Sequence, residues 1–200
     1  MTKSDDESFR ALIEANVRGW NGYWAWRDKP VAERASAKQI LEQGGVHVVD
    51  LVSRDSGQDP PDCEAILDEL FSGVEVTELV HRPALERSLK AIELRKAGKK
   101  PTRPEAYFDW DRDALLSMLQ ALIDAKDQPP KQKGGPYKRY VLVIHTDEFF
   151  LDRDTVSRFL EGASFRTTFV TDVFLGLSYH PSVEPEGGYC PVFRLSIDRA

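Results

Sequence analysis

Five consecutive apolar residues, Tyr140-Val141-Leu142-Val143-Ile144, constrain the fold of this chain more than any other stretch. A run with no polar alternate is the pattern of a strand buried on both faces. Such a strand lies inside a sheet that is covered on both sides, which makes the chain an α/β protein. The surrounding punctuation agrees. A helix is predicted over residues 31–43, ending at Gly44-Gly45. Strands follow at 46–52, 63–67 and 73–80, the first two separated by a polar turn over 53–60. Pro83 opens a helix that runs to about Lys96 and is closed by Gly98. The helix over 111–126 is the most periodic, with Leu115, Met118, Leu119, Leu122 and Ile123 on one face. A linker rich in Pro, Gly and Lys follows at 127–136 and is expected to be mobile. After the apolar strand, Asp152 or Asp154 caps a short helix that ends by Gly162. Strands at 171–179 and 192–197 are joined by an exposed turn over 181–188. The order α-β-β-β-α-α-β-α-β-β describes an α/β sandwich with a mixed sheet.

Residues 31–200 are assigned to this one domain, and residues 1–30 to an N-terminal helical and aromatic extension. An amphipathic stripe of Phe9, Leu12, Ile13 and Val17 predicts a helix over residues 5–18. Trp20, Tyr23, Trp24 and Trp26 either pack the extension onto the domain or offer a base-stacking platform. With 200 residues, 41% hydrophobic and 30% charged, the chain has the composition of an ordinary globular protein with a single core. No apolar run reaches the roughly 18 residues of a membrane span. The first residues, Met1-Thr2-Lys3-Ser4-Asp5-Asp6-Glu7, lack the apolar core of a secretory signal, so a cytoplasmic location is expected. Cys63 and Cys190 make neither a disulfide framework nor a CxxC pair. His47, His145 and His180 show no zinc-ligand spacing, and His81 reads as a structural residue. No GxGxxG, P-loop or GxSxG motif is present, which removes dinucleotide, NTPase and α/β-hydrolase chemistry.

The chemistry is concentrated in Asp59-Pro60-Pro61-Asp62-Cys63 and Gly73-Val74-Glu75-Val76-Thr77-Glu78-Leu79. The proline pair favours an extended backbone leading into Asp62, which opens one strand. Glu75 lies between two valines in the next strand, where an unpaired carboxylate would be costly. Strand alternation places Glu75 and Thr77 on one face and Val74 and Val76 on the other. Two carboxylates on neighbouring strands suit a hard divalent cation such as Mg²⁺ or Mn²⁺. On the 111–126 helix, Leu115, Leu119, Leu122 and Lys126 form one stripe, so Lys126 points inward at the helix end. The alternative for Lys126 is a simple complement to the helix dipole.

These segments resemble the PD-(D/E)XK (restriction-endonuclease-like) nuclease superfamily, in an uncharacterised bacterial branch with Glu-x-Thr in place of Glu-x-Lys. The resemblance covers about residues 31–145. It implies an αβββαβ core with a mixed central sheet flanked by helices. It also implies a Mg²⁺- or Mn²⁺-dependent nuclease acting on DNA or RNA, with Asp62 and Glu75 as metal ligands and nucleic acid as the partner. Thr77 stands where the motif has lysine, and Lys126 is the candidate for a relocated lysine. Gln120 is an assisting residue, and Glu33 or Glu42 would be the additional acid from the first helix. A net charge of -6 argues against a dedicated nucleic-acid binder. Two basic clusters oppose that: Arg95, Lys96, Lys99, Lys100 and Arg103, then Lys126, Lys131, Lys133, Lys138 and Arg139. Of these, Lys99, Lys100, Lys131 and Lys133 are the candidates for contacting the phosphate backbone. The competing expectation is a catalytically silent domain of the same fold that binds nucleic acid or protein. The oligomeric state, a homodimer included, is left open.

Overall fold

A computed structural model describes residues 29–55, 57–58, 60–100, 108–128, 134–148, 150–178 and 191–199. The predicted 5–18 helix, the Trp20–Trp26 aromatics, Arg103, Lys131, Lys133, His180, the 181–188 turn and Cys190 lie outside these residues.

Helix α1 (Lys29–Gln43) leads into strands β1 (Val48–Ser53), β2 (Cys63–Leu67) and β3 (Leu70–Glu78). Helices α2 (Arg82–Lys96) and α3 (Arg112–Lys126) precede β4 (Arg139–Thr146), and α4 (Arg153–Leu160) follows it. Four short strands complete the order: β5 (Phe165–Thr167), β6 (Asp172–Leu177), β7 (Val192–Arg194) and β8 (Ile197–Arg199). The main sheet has six strands in the order β1-β2-β3-β4-β6-β7. β1, β2 and β3 form an antiparallel meander, β4 and β6 run parallel to β3, and β7 returns antiparallel. The sheet is therefore mixed and flanked by helices. Among the described residues no helix is long and apolar enough to cross a membrane.

The apolar run predicted to be buried on both faces is β4, and all eight of its residues are buried. Its alternate side chains enter two different cores. Val141 and Val143 join Val74, Val76 and Phe174 against Ala37, Ile40 and Leu41 of α1. Tyr140, Leu142 and Ile144 face the other way, against Leu115, Leu119 and Ile123 of α3. Burying each of the larger side chains stabilises the fold by roughly 1.5–3 kcal/mol. Asp111 caps α3, its carboxylate accepting from the Ala114 N–H at 2.7 Å. Asp152, rather than Asp154, caps α4 in the same way.

Two sequence expectations need correcting. The strand expected over 192–197 is broken at Leu195-Ser196. β7 pairs with β6, whereas β8 leaves the main sheet and pairs in parallel with β5. β5 itself was not foreseen. Arg139, grouped by sequence with solvated phosphate-binding loops, is buried at the start of β4. Its guanidinium donates to Asp172 at 2.7 and 3.1 Å and to Asp68 at 2.8 Å, a structural ion-pair network.

Candidate active site

The meander brings the two predicted carboxylates together. The β2–β3 ladder pairs Cys63 with Val74, so Asp62, one residue before β2, falls beside Glu75. Where the backbone ladder ends, the Asp62 carboxylate extends it by one rung, accepting the Val76 N–H at 2.8 Å. Cys63, Ala65 and Leu67 turn into the α1 core. By alternation Asp62 and Glu64 therefore face the α3 side of the sheet, together with Gly73, Glu75 and Thr77 of β3.

Glu75 is buried, only 4% exposed. Its two oxygens have different partners. Oε2 accepts from the Lys126 ammonium at 3.2 Å, and Oε1 from the Tyr140 hydroxyl at 3.3 Å. Lys126 thus reaches the site from the C-terminal end of α3, three residues beyond the buried Ile123. Tyr140 reaches it from β4 by lying across Gly73, its partner in the β3–β4 register. A Cβ on Gly73 would sit 3.1 Å from both the Tyr140 ring and Pro61, so the absence of a side chain there makes room for the ring.

Electrostatics couple the two acids. Burial pushes the Asp62 carboxyl up to about 7, with its hydrogen bond to Glu75 and the Glu75 charge adding to the effect. The Val76 N–H and the Lys126 charge pull the other way. Asp62 therefore holds a proton far more readily than an ordinary aspartate. Burial, then the Glu75 charge and the hydrogen bond to it, also raises the Tyr140 hydroxyl, keeping it a neutral donor. Under the sheet, burial and then the charges of Asp62 and Glu33 push the Cys63 thiol up to about 12, so it is no nucleophile.

The other candidates separate cleanly. Thr77 is half-buried one rung further along the Glu75 face. Gln120 does not join the pair; its amide bridges the backbone of Arg166 in both directions at 3.0 Å and donates to Asp124 at 2.7 Å. Glu33 is buried and ion-paired with Lys29 at 3.0 Å, and Glu42 is exposed beside Lys38. Neither makes a third acid. Among the described residues no group of three or more Asp, Glu, His or Cys side chains stands ready to hold a metal ion. Lys99 and Lys100 are exposed just past α2. His81 is structural: its Nδ1 accepts from Ala84 N–H at 3.3 Å at the head of α2, and its ring stacks on Phe108 at 3.8 Å. Sequence reasoning missed Tyr140. The available signal was the one polar tip in the apolar run, set opposite a glycine two residues before Glu75.

No protein-family model matches the chain, and no curated protein and no solved structure matches it. The chemistry of the site must be read from its own atoms. Two carboxylates on one strand face are hard oxygen donors. That set fits Mg²⁺, which takes one or two protein carboxylates and fills its shell with water and substrate phosphate.

Proposed function

We propose that the protein is a Mg²⁺- or Mn²⁺-dependent nuclease that hydrolyses phosphodiester bonds of DNA or RNA, with a restriction-endonuclease-like core. The observation that carries this reading is the convergence of Asp62, Glu75 and the Lys126 ammonium from three separate elements. An α-helix, an antiparallel three-strand meander and a parallel fourth strand after a helical crossover are in the order that this core requires. Asp62 and Glu75 would hold the cation, which when bound polarises the phosphate and supplies hydroxide at neutral pH.

The remaining roles belong to the chain itself. Lys126 neutralises Glu75 and sets a positive charge where negative charge develops on the phosphate, the task of the lysine that Thr77 replaces. Tyr140 fixes the other Glu75 oxygen, so the carboxylate does not rotate away. Lys99 and Lys100, exposed just past α2, supply contacts to the phosphate backbone, a role also proposed for Lys131 and Lys133.

Plasmid DNA, single-stranded DNA and RNA incubated with Mg²⁺ or Mn²⁺ test the reading. The wild-type chain cleaves at least one of them, EDTA stops it, and Glu75→Ala is inactive. Equal cleavage by Glu75→Ala would remove the site from the chemistry. Binding of nucleic acid without cleavage would favour the silent binding module.

A further inference from the structure

A second polar cluster adjoins the carboxylate pair on the same sheet face, and it is built around a buried arginine. The Arg54 side chain is only 6% exposed, and its Nε lies 3.4 Å from Glu64 Oε1. Its Nη1 donates to the Pro60 carbonyl and to the Tyr137 hydroxyl, both at 3.2 Å. The Tyr137 hydroxyl in turn donates to Glu64. Arg54 also grips the loop through its backbone, since its N–H donates to the Asp62 carbonyl at 3.0 Å. Arg54, at the start of the loop, therefore grips the end of it twice: through its backbone at Asp62 and through its side chain at Pro60. Tyr137 belongs to the segment that leads from α3 into β4, so the cluster joins the Asp62 loop to the chain between Lys126 and Tyr140.

The packing over this cluster is close. A Cβ on Gly134 would collide with the Tyr137 hydroxyl, and would lie 2.8 Å from Glu64 Oε1 and 2.9 Å from Arg54 Nη2. The backbone at Gly134 thus passes directly over the group. A buried guanidinium is costly unless its donors are matched, and here a carboxylate, a carbonyl and a hydroxyl match them. The match depends on the loop being in the place that puts Asp62 beside Val76 and Glu75.

We infer that Arg54, held by Glu64 and Tyr137, is a positioning residue that fixes the Asp62 carboxylate against Val76 and Glu75. As far as metal affinity is concerned, the inference rests on the reading of the pair as a cation site. Its own consequence is local and independent of metal. With the clasp intact, Asp62 stays on the Val76 N–H; with the clasp opened, the loop relaxes and that hydrogen bond weakens.

The experiment uses the full ¹⁵N-labelled chain, metal-free, with Arg54→Gln, Arg54→Lys, Tyr137→Phe and Gly134→Ala. The Val76 amide is the reporter, because a carboxylate acceptor at 2.8 Å shifts its proton downfield and slows its exchange. Arg54→Gln and Gly134→Ala move the Val76 resonance upfield and hasten its exchange, while the central β4 amides keep theirs. Arg54→Lys, which retains one charged donor, falls between them and wild type. Mn²⁺ affinity, read from the free-ion EPR signal, falls about tenfold or more in Arg54→Gln, the scale on which outer-shell partners act. A wild-type chain that binds no Mn²⁺ would sink the metal reading, and the Val76 amide alone would then judge the clasp. A Val76 amide unchanged in Arg54→Gln would overturn the inference. Should Arg54→Gln fail to fold, Tyr137→Phe, which removes one hydroxyl, decides by the same readout.

Discussion

Lys126 matters at the residue scale in two ways, as partner to a buried carboxylate and as a positive charge in direct contact with the site. Its side chain is 33% exposed but that of Glu75 only 5%, so the pair is only partly screened, and removing the ammonium leaves a buried carboxylate short of one partner at a cost of about 1–3 kcal/mol. Lys126→Ala should therefore lower the thermal midpoint by several degrees while leaving the chain folded, and lower cleavage by roughly 10²–10³-fold if the charge serves the transition state. Lys126→Arg should recover little, because a planar guanidinium places its charge differently from a compact ammonium. Full cleavage by Lys126→Ala would exclude that role. His145, on the α1 side of β4, carries a separate pH dependence. Burial lowers its pKa from 6.5 to about 4, so the folded chain holds it neutral. The unfolded chain binds the extra proton first, and stability falls as pH drops from about 6.5 toward 4. His145→Asn should flatten that part of a plot of thermal midpoint against pH, and an unchanged slope would contradict the assignment. The two acids and the lysine were legible in the sequence because each broke a local pattern: an acid after prolines, an acid between valines, a lysine on an apolar stripe. Arg54 was not legible, since its partner Tyr137 lies 83 residues away and nothing near it in sequence marks the contact.

Elements record where local chemistry and tertiary packing disagree. The β2–β3 connection is a two-residue turn in which Asp68 and Glu69 both take positive φ, 47° and 69°. Asn-Gly is the usual occupant of such a turn. Asp68 is retained by its contacts, accepting from the His47 N–H at 2.9 Å and from Arg139 at 2.8 Å. No described contact holds Glu69 in the same way. Glu69→Gly should stabilise the chain by roughly 0.5–1 kcal/mol, the left-handed penalty less the cost of ordering glycine. Asp68→Gly should not, because it removes both hydrogen bonds. Urea midpoints of the two variants distinguish these outcomes. Strand existence was readable where the hydrophobic run was long, as in β4, or where turn residues bounded a short run, as in β2. β5 and the separation of β7 from β8 were not. Phe165–Thr167 becomes a strand only because Ile197–Arg199, some thirty residues later, pairs with it.

The two cores lie on opposite faces of one sheet, and the α3-side face of the meander is where the Asp62 and Glu75 carboxylates meet the end of α3. Overall charge is -6, so on the proposed nuclease reading the sum of charges does not favour nucleic acid, and contacts to the phosphate backbone fall to local basic residues such as Lys99 and Lys100. The α/β class followed from one buried strand and the helical stripes around it. The sheet order did not, because strand pairing across the crossover depends on which faces find partners. The central claim is that Asp62 and Glu75 hold a divalent cation together, and calorimetric titration of the full chain with Mn²⁺ at pH 7.5 measures it directly. The account predicts one saturable site of micromolar to millimolar affinity, released protons as Asp62 ionises, and loss of binding in both Asp62→Asn and Glu75→Gln. Binding that survives in both variants, or no binding to the wild-type chain, would contradict it.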